Sequence, residues 1–160
     1  MLGEILWPQF GAAIDMLADA IGACPEGAWQ APGHPAFWHV AYHTVFYLDL
    51  YLSDGLDGFE VPTPFAAELR SLDAQAEAPY GREDVLRYLQ ASRAKCRAVI
   101  QGMTEQWARQ SSGFDWLPMN RAELLLYNMR HVQHHAGQLA MRIRQLTGEA
   151  PPRWVGRARP

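Results

Sequence analysis

Between Asn120 and Gly148 the chain carries a full set of signals for one long helix. The Asn120 side chain can accept from the free N–H groups of a first turn, and Glu123 stands three residues later, at the capping-box position. Gly148 tolerates the left-handed conformation at a helix end, and Pro151-Pro152 just beyond cannot continue a helix. Inside these limits Leu124, Leu125, Val132, Leu139, Ile143 and Leu146 fall on one broad stripe at about 100° per residue. A helix with one apolar stripe needs other elements to cover it, so the rest of the chain must supply them.

Three further helical patterns do so. The first runs from about Leu2 or Pro8 to Ala23, with Phe10, Ile14, Leu17 and Ile21 at helical spacing. Pro8 either starts that helix or bends it. The second runs from Pro35 to about Ser53 and is apolar nearly all round (Phe37, Trp38, Val40, Val45, Phe46, Leu48), which predicts heavy burial. The third opens at Glu83-Asp84, acids where a helix dipole favours them, and continues to about Met103. Residues 55–81 hold Pro62, Pro64 and Pro79 and read as a long connection with one short helix around Phe65 to Leu72. Thr104 to Gln110 adds another short helix. No strand-like alternation competes and no internal repeat is visible. The predicted architecture is all-α: an antiparallel four-helix bundle over residues 1–160, one domain, with a long connection between the second and third long helices.

Size and composition fit that reading. A chain of 160 residues, 49% apolar and 19% charged, can bury a core and is not disordered. A formal charge of −3 gives no electrostatic case for nucleic acid or an anionic membrane. Arg142, Arg144, Arg153, Arg157 and Arg159 read as solvated arginines closing off a helix rather than as a binding patch. Cys24 and Cys96 lack CxxC spacing, so no zinc ribbon or redox motif can be built from them. Two free thiols, and an opening segment broken by Glu4, Asp15 and Asp19, predict a cytoplasmic protein without a secretory leader or a membrane span.

The six histidines form two groups: His34, His39 and His43 early, His131, His134 and His135 late. His131 and His135 are four residues apart, so on a helix their imidazoles can converge on one point. By angle His135 lies in the apolar stripe, His131 at its edge, and His134 further out beside Arg130, Arg144 and Gln145. On the second helix Val40, Tyr47 and Leu50 surround His43, which places it inside a bundle, and His39 lies one turn nearer the amino end. Two readings stand here. The three inward rings are a structural cluster of hydrogen-bonded histidines, or they share a metal; without a shared partner each unmet polar group costs about 1–3 kcal/mol.

The spacing excludes several known chemistries. A zincin helix needs Glu directly after its first histidine, where this chain has Val132. Di-iron bundles need Glu-x-x-His, and covalent haem needs Cys-x-x-Cys-His; neither occurs. What remains on the metal reading is one ion on three histidines with at least one position open for water or substrate, the mark of a catalytic zinc site.

The run Asn128-Met129-Arg130-His131-Val132-Gln133-His134-His135-Ala136-Gly137-Gln138-Leu139 resembles the hallmark helix of the DinB-like superfamily. Phe37-Trp38-His39-Val40-Ala41-Tyr42-His43 is similar to its second-helix motif, and the tail Pro152-Arg153-Trp154-Val155-Gly156-Arg157 and the element order are similar too. The resemblance implies a four-helix bundle in which His43, His131 and His135 bind one divalent metal, commonly zinc, nickel or iron, and often a homodimer. It also implies a reaction type seen in relatives: S-transfer or isomerisation with bacillithiol, mycothiol or glutathione, a low-molecular-weight thiol co-substrate activated at the metal. No thiol-cofactor signature is visible in this chain.

The functional expectation is therefore a metal-dependent enzyme, of thiol S-transferase, isomerase or hydrolase type, acting on a small-molecule substrate. His39, His134 or Tyr47 are the candidate catalytic helpers, for proton handling or orientation, and Asn128 or Gln138 the candidate supports of the ligands. Trp38, Tyr42 and Phe46 either line a pocket or are ordinary core. The alternatives are a non-catalytic metal- or small-molecule-binding stress protein and a metal-free interaction module.

Overall fold

The computed structural model describes residues 2–31, 35–75 and 78–160. Among them are six α-helices, four of them long, and no strand. The helices are α1 (Leu2–Ala23), α2 (Glu26–Trp29), α3 (Phe37–Leu50), α4 (Arg82–Gly102), α5 (Glu105–Arg109) and α6 (Arg121–Thr147). A 3₁₀ turn, Ala67–Arg70, lies within the long connection.

Helix α6 starts and stops where its signals predict. Asn120 Oδ1 accepts from the Glu123 N–H at 2.9 Å, and Gly148 closes the other end at φ 72° with its N–H on the Arg144 carbonyl. Its 27 residues make a rod of about 40 Å. Leu124, Leu125, Val132, Leu139 and Ile143 are buried, whereas Leu146 is exposed, so the expected stripe ends at Ile143. Helix α1 begins at Leu2, so Pro8 lies inside it rather than starting it, and its missing N–H leaves one ladder bond unmade. Helix α3 begins at Phe37, two residues after Pro35, because Ala36 is still extended, and ends at Leu50 rather than Ser53. The expected helix around Phe65–Leu72 is only the 3₁₀ turn. Helix α2 has no counterpart in the sequence reading; its four residues seat Trp29, whose indole N–H donates to the Tyr80 carbonyl at 2.9 Å.

Helix α1 packs on α4 and α6, and α3 packs on the same two, so each long helix has two long neighbours. One continuous apolar cluster fills the space between them. Trp38, Tyr42 and Phe46 belong to it and are nearly or fully buried, so they are core. The tail folds back over α1: the Ala158 N–H donates to the Pro8 carbonyl at 2.7 Å, and the Arg159 N–H donates to Asp15 at 2.7 Å. The Arg159 side chain pairs with Asp19, while Arg142 donates to the Pro35 carbonyl at 3.0 Å and lies over the Phe37 ring. Two of the five carboxy-terminal arginines are thus structural ties; Arg144, Arg153 and Arg157 are exposed. Among the described residues no helix is long and apolar enough to cross a membrane.

Candidate metal centre

The connection after α3 is held down by aromatic side chains, and that anchoring shapes the site. Tyr42 donates to the Ala66 carbonyl at 2.7 Å, Tyr80 accepts from the Ala66 N–H at 2.9 Å, and Phe65 stacks on Tyr42. Four residues after Ala66, the Arg70 carbonyl comes to rest over α3. There it accepts from His43 Nδ1 at 2.6 Å, one residue beyond the Leu69 carbonyl, which takes His39 Nε2 at 2.8 Å. A histidine ring bonded to a carbonyl through Nδ1 must carry its proton there, so His43 presents a bare Nε2 to the α3–α6 seam.

On α6 the same logic applies to His135. Its Nδ1 meets Gln138 Oε1 at 2.8 Å, and the Gln138 amide nitrogen donates to His134 Nε2 at 3.0 Å. With the amide in that orientation His135 carries its proton on Nδ1 and leaves Nε2 bare. His131 Nε2 lies 3.2 Å from His43 Nε2. One ring nitrogen from each of His43, His131 and His135 lies within 4.8 Å of the others. A zinc–nitrogen distance of about 2.0–2.1 Å in a tetrahedron separates ligand nitrogens by about 3.4 Å, so the set is close to the required spacing.

The rings are also in the right protonation state. Burial, partly offset by the bond to Arg70, pushes the His43 pKa down to about 4. Burial pushes His131 down to about 3, with His135 and His43 adding to the effect, and burial lowers His135 as well. All three are neutral near pH 7, the form that ligates a metal. The two cysteines offer no alternative ligand: both are buried, and burial raises the Cys24 thiol to about 11 and Cys96 further still.

Of the candidate helpers, Tyr47 and His134 adjoin the three rings and His39 does not. The Tyr47 ring centroid lies 4.9 Å from that of His43 and 5.7 Å from that of His131. His134 is exposed and its ring centroid lies 5.0 Å from that of His135. His39 is buried, stacked on Trp38 and committed to Leu69. Gln138 touches a candidate ligand, as expected. Asn128 instead donates to the Leu48 carbonyl of α3 at 3.0 Å, its Oδ1 is left without a partner, and His131 Nδ1 is likewise buried and unpaired. His34 lies outside the described residues. Sequence reasoning missed the Arg70 carbonyl, since a backbone acceptor supplied by a connection has no residue-type signal.

An all-helical chain with three neutral imidazoles converging between two of its long helices has the form of a metal-binding helical protein. The family model for the DinB superfamily matches residues 9–139, well over half of the chain, and the chain belongs to that superfamily. A comparison with curated proteins gave no match.

Proposed function

We propose that the protein is a metal-dependent enzyme in which His43, His131 and His135 hold one divalent cation, zinc, nickel or iron, and that it activates a thiol or a water for transfer, isomerisation or hydrolysis. The observation that carries this reading is the convergence of three neutral ring nitrogens within 4.8 Å, two of them turned inward by bonds to their outer nitrogens. That donor set fits the group: three nitrogens leave a position open, as in catalytic rather than structural zinc sites. A cation bound there supplies Lewis acidity, lowering the pKa of a thiol or water toward neutrality.

The chain's own residues do the rest. The Arg70 carbonyl and Gln138 fix ring orientation and tautomer, which raises the basicity of the inward nitrogens. Burial keeps the rings neutral and water scarce. Tyr47, packed against two of the three rings, is positioned to hand a proton to or from a bound substrate, while His39 anchors the connection that carries Arg70. A low-molecular-weight thiol is the proposed co-substrate, and the four long helices are proposed to run as an antiparallel bundle forming one domain.

The test uses untagged protein. Elemental analysis should find about one divalent metal per chain in the wild type and none in His43→Ala. The loaded wild type is then incubated with monochlorobimane and a panel of low-molecular-weight thiols, and separately with esters. Turnover abolished by His43→Ala supports the enzyme. Stoichiometric metal without turnover under any condition favours a binding protein, and no metal at all sinks the site.

A further inference from the structure

Three candidates beyond the inward ring nitrogens stand out. A cleft of about 670 Å³ between α3 and α4 carries Asp57, Glu60, Phe59 and Trp107, but nothing points to its occupant. A second cavity of about 620 Å³ is lined by Val40, Gln138, Met141 and Arg142, and nothing points to its occupant either. The third is a pair of unpaired buried atoms on α6, and it carries an argument.

Those atoms are Asn128 Oδ1 and His131 Nδ1, on residues three apart and therefore neighbours on one helix face. The Asn128 amide is not free to flip, because its nitrogen must be the group that donates to the Leu48 carbonyl. Its oxygen is thus an acceptor with no donor. His43 carries its proton on Nδ1, so the contact between His43 Nε2 and His131 Nε2 at 3.2 Å needs the proton of His131 on Nε2. His131 Nδ1 is then a second acceptor, on a residue one helical turn from the first. Two like groups cannot satisfy each other, and leaving both buried costs about 1–3 kcal/mol apiece.

The mismatch disappears if His131 Nε2 faces a cation instead. Ligation requires a bare Nε2, and a neutral ring must then carry its proton on Nδ1. That turns Nδ1 into a donor one helical turn from the unpaired Asn128 oxygen, to which it is not bonded in the structure. We propose that Asn128 is the positioning residue of the third ligand: its Oδ1 accepts from His131 Nδ1–H when the site is loaded, as Arg70 and Gln138 already do for His43 and His135. This rests on His131 being a ligand. It also ties the site to the helix pairing, since the other end of the same amide holds α6 to the Leu48 carbonyl of α3.

The experiment compares untagged wild type, Asn128→Leu and Asn128→Asp by competition against a chromophoric zinc chelator, with melting temperatures alongside. Leucine removes both functions of the amide; aspartate keeps the acceptor and gives up the donor. Zinc affinity should fall about 10–100-fold in Asn128→Leu and stay near wild type in Asn128→Asp, although both melt earlier. Histidine-selective ¹⁵N spectra of the wild type should show the His131 proton on Nε2 without zinc and on a slowly exchanging Nδ1 with it. Unchanged affinity in a folded Asn128→Leu overturns the proposal and leaves the metal site standing. If that variant does not fold, the spectra decide: an Nε2 proton or a freely exchanging Nδ1 proton in the zinc-loaded wild type overturns it. Wild type that binds no zinc removes the metal reading and this one together.

Discussion

Helix α3 carries two buried polar clusters, six residues apart, and they are built on opposite terms. On the side facing α4, the Asp49 carboxylate accepts from Tyr88 at 2.9 Å and from Lys95 at 2.6 Å, and Lys95 also reaches the Ser53 hydroxyl at 2.9 Å. Donors and acceptors match there, and charge meets charge. On the side facing α6, three imidazoles crowd together with no counter-charge, their pKa values driven down, and two neighbouring polar atoms left over. Both clusters cost desolvation, but only the first recovers it from the chain itself. A cluster that closes on itself holds helices together; one left open on the inside fits a metal ion.

The largest expected effect separates the two sides by pH. In chelator-treated protein His43 titrates at about 4 and His131 at about 3, against about 6.5 when unfolded. Between those values the unfolded chain binds more protons, so stability is level above about pH 6.5 and falls below it, each ring adding up to about 1.4 kcal/mol per pH unit. Urea unfolding at pH 7 and pH 5 should therefore differ by roughly 3 kcal/mol, and a curve flat over this range would mean the rings are not held neutral. Next in size, Asp49→Ala strands Lys95 and Tyr88; because Lys95 is partly exposed, the cost should be about 2 kcal/mol in urea unfolding. Zinc affinity should not change, and a marked loss would show that the two clusters are coupled through α3. The smallest, Asn120→Ala, removes the cap of α6 and should cost about 1 kcal/mol by thermal unfolding while leaving zinc affinity intact.

The extent to which residues announced this structure follows from how local each signal is. Asn120, Gly148 and the Glu83-Asp84 opening are signals read within one turn, and the helices they bound are found where expected. Helical period put His135 in the apolar stripe, His131 at its edge and His43 on a helix expected to be buried, and the family resemblance joined the three as one ligand set, which the structure brings together. What escaped depends on contacts distant in the chain. Helix α2 exists around the packing of Trp29 against Tyr80, 51 residues away, and the 3₁₀ turn replaces a full helix because Ala66 is tied to Tyr42 and Tyr80. His39 is by type a candidate for proton handling, yet the Leu69 carbonyl claims it, and no pattern in residues 35–53 foretells that.

The tail has a consequence for how the molecule comes apart. Residues 156–159 are stitched to α1 at Pro8, Gln9, Asp15 and Asp19, and Arg93 of α4 grips both Asp15 and the Arg159 carbonyl. Gly11 faces Ala158 so closely that a β-carbon at residue 11 would sit 2.5 Å from that of Ala158. Residues 156–159 cannot lift from the helices without breaking bonds to α1 and α4 together, so that segment and the bundle open as one unit.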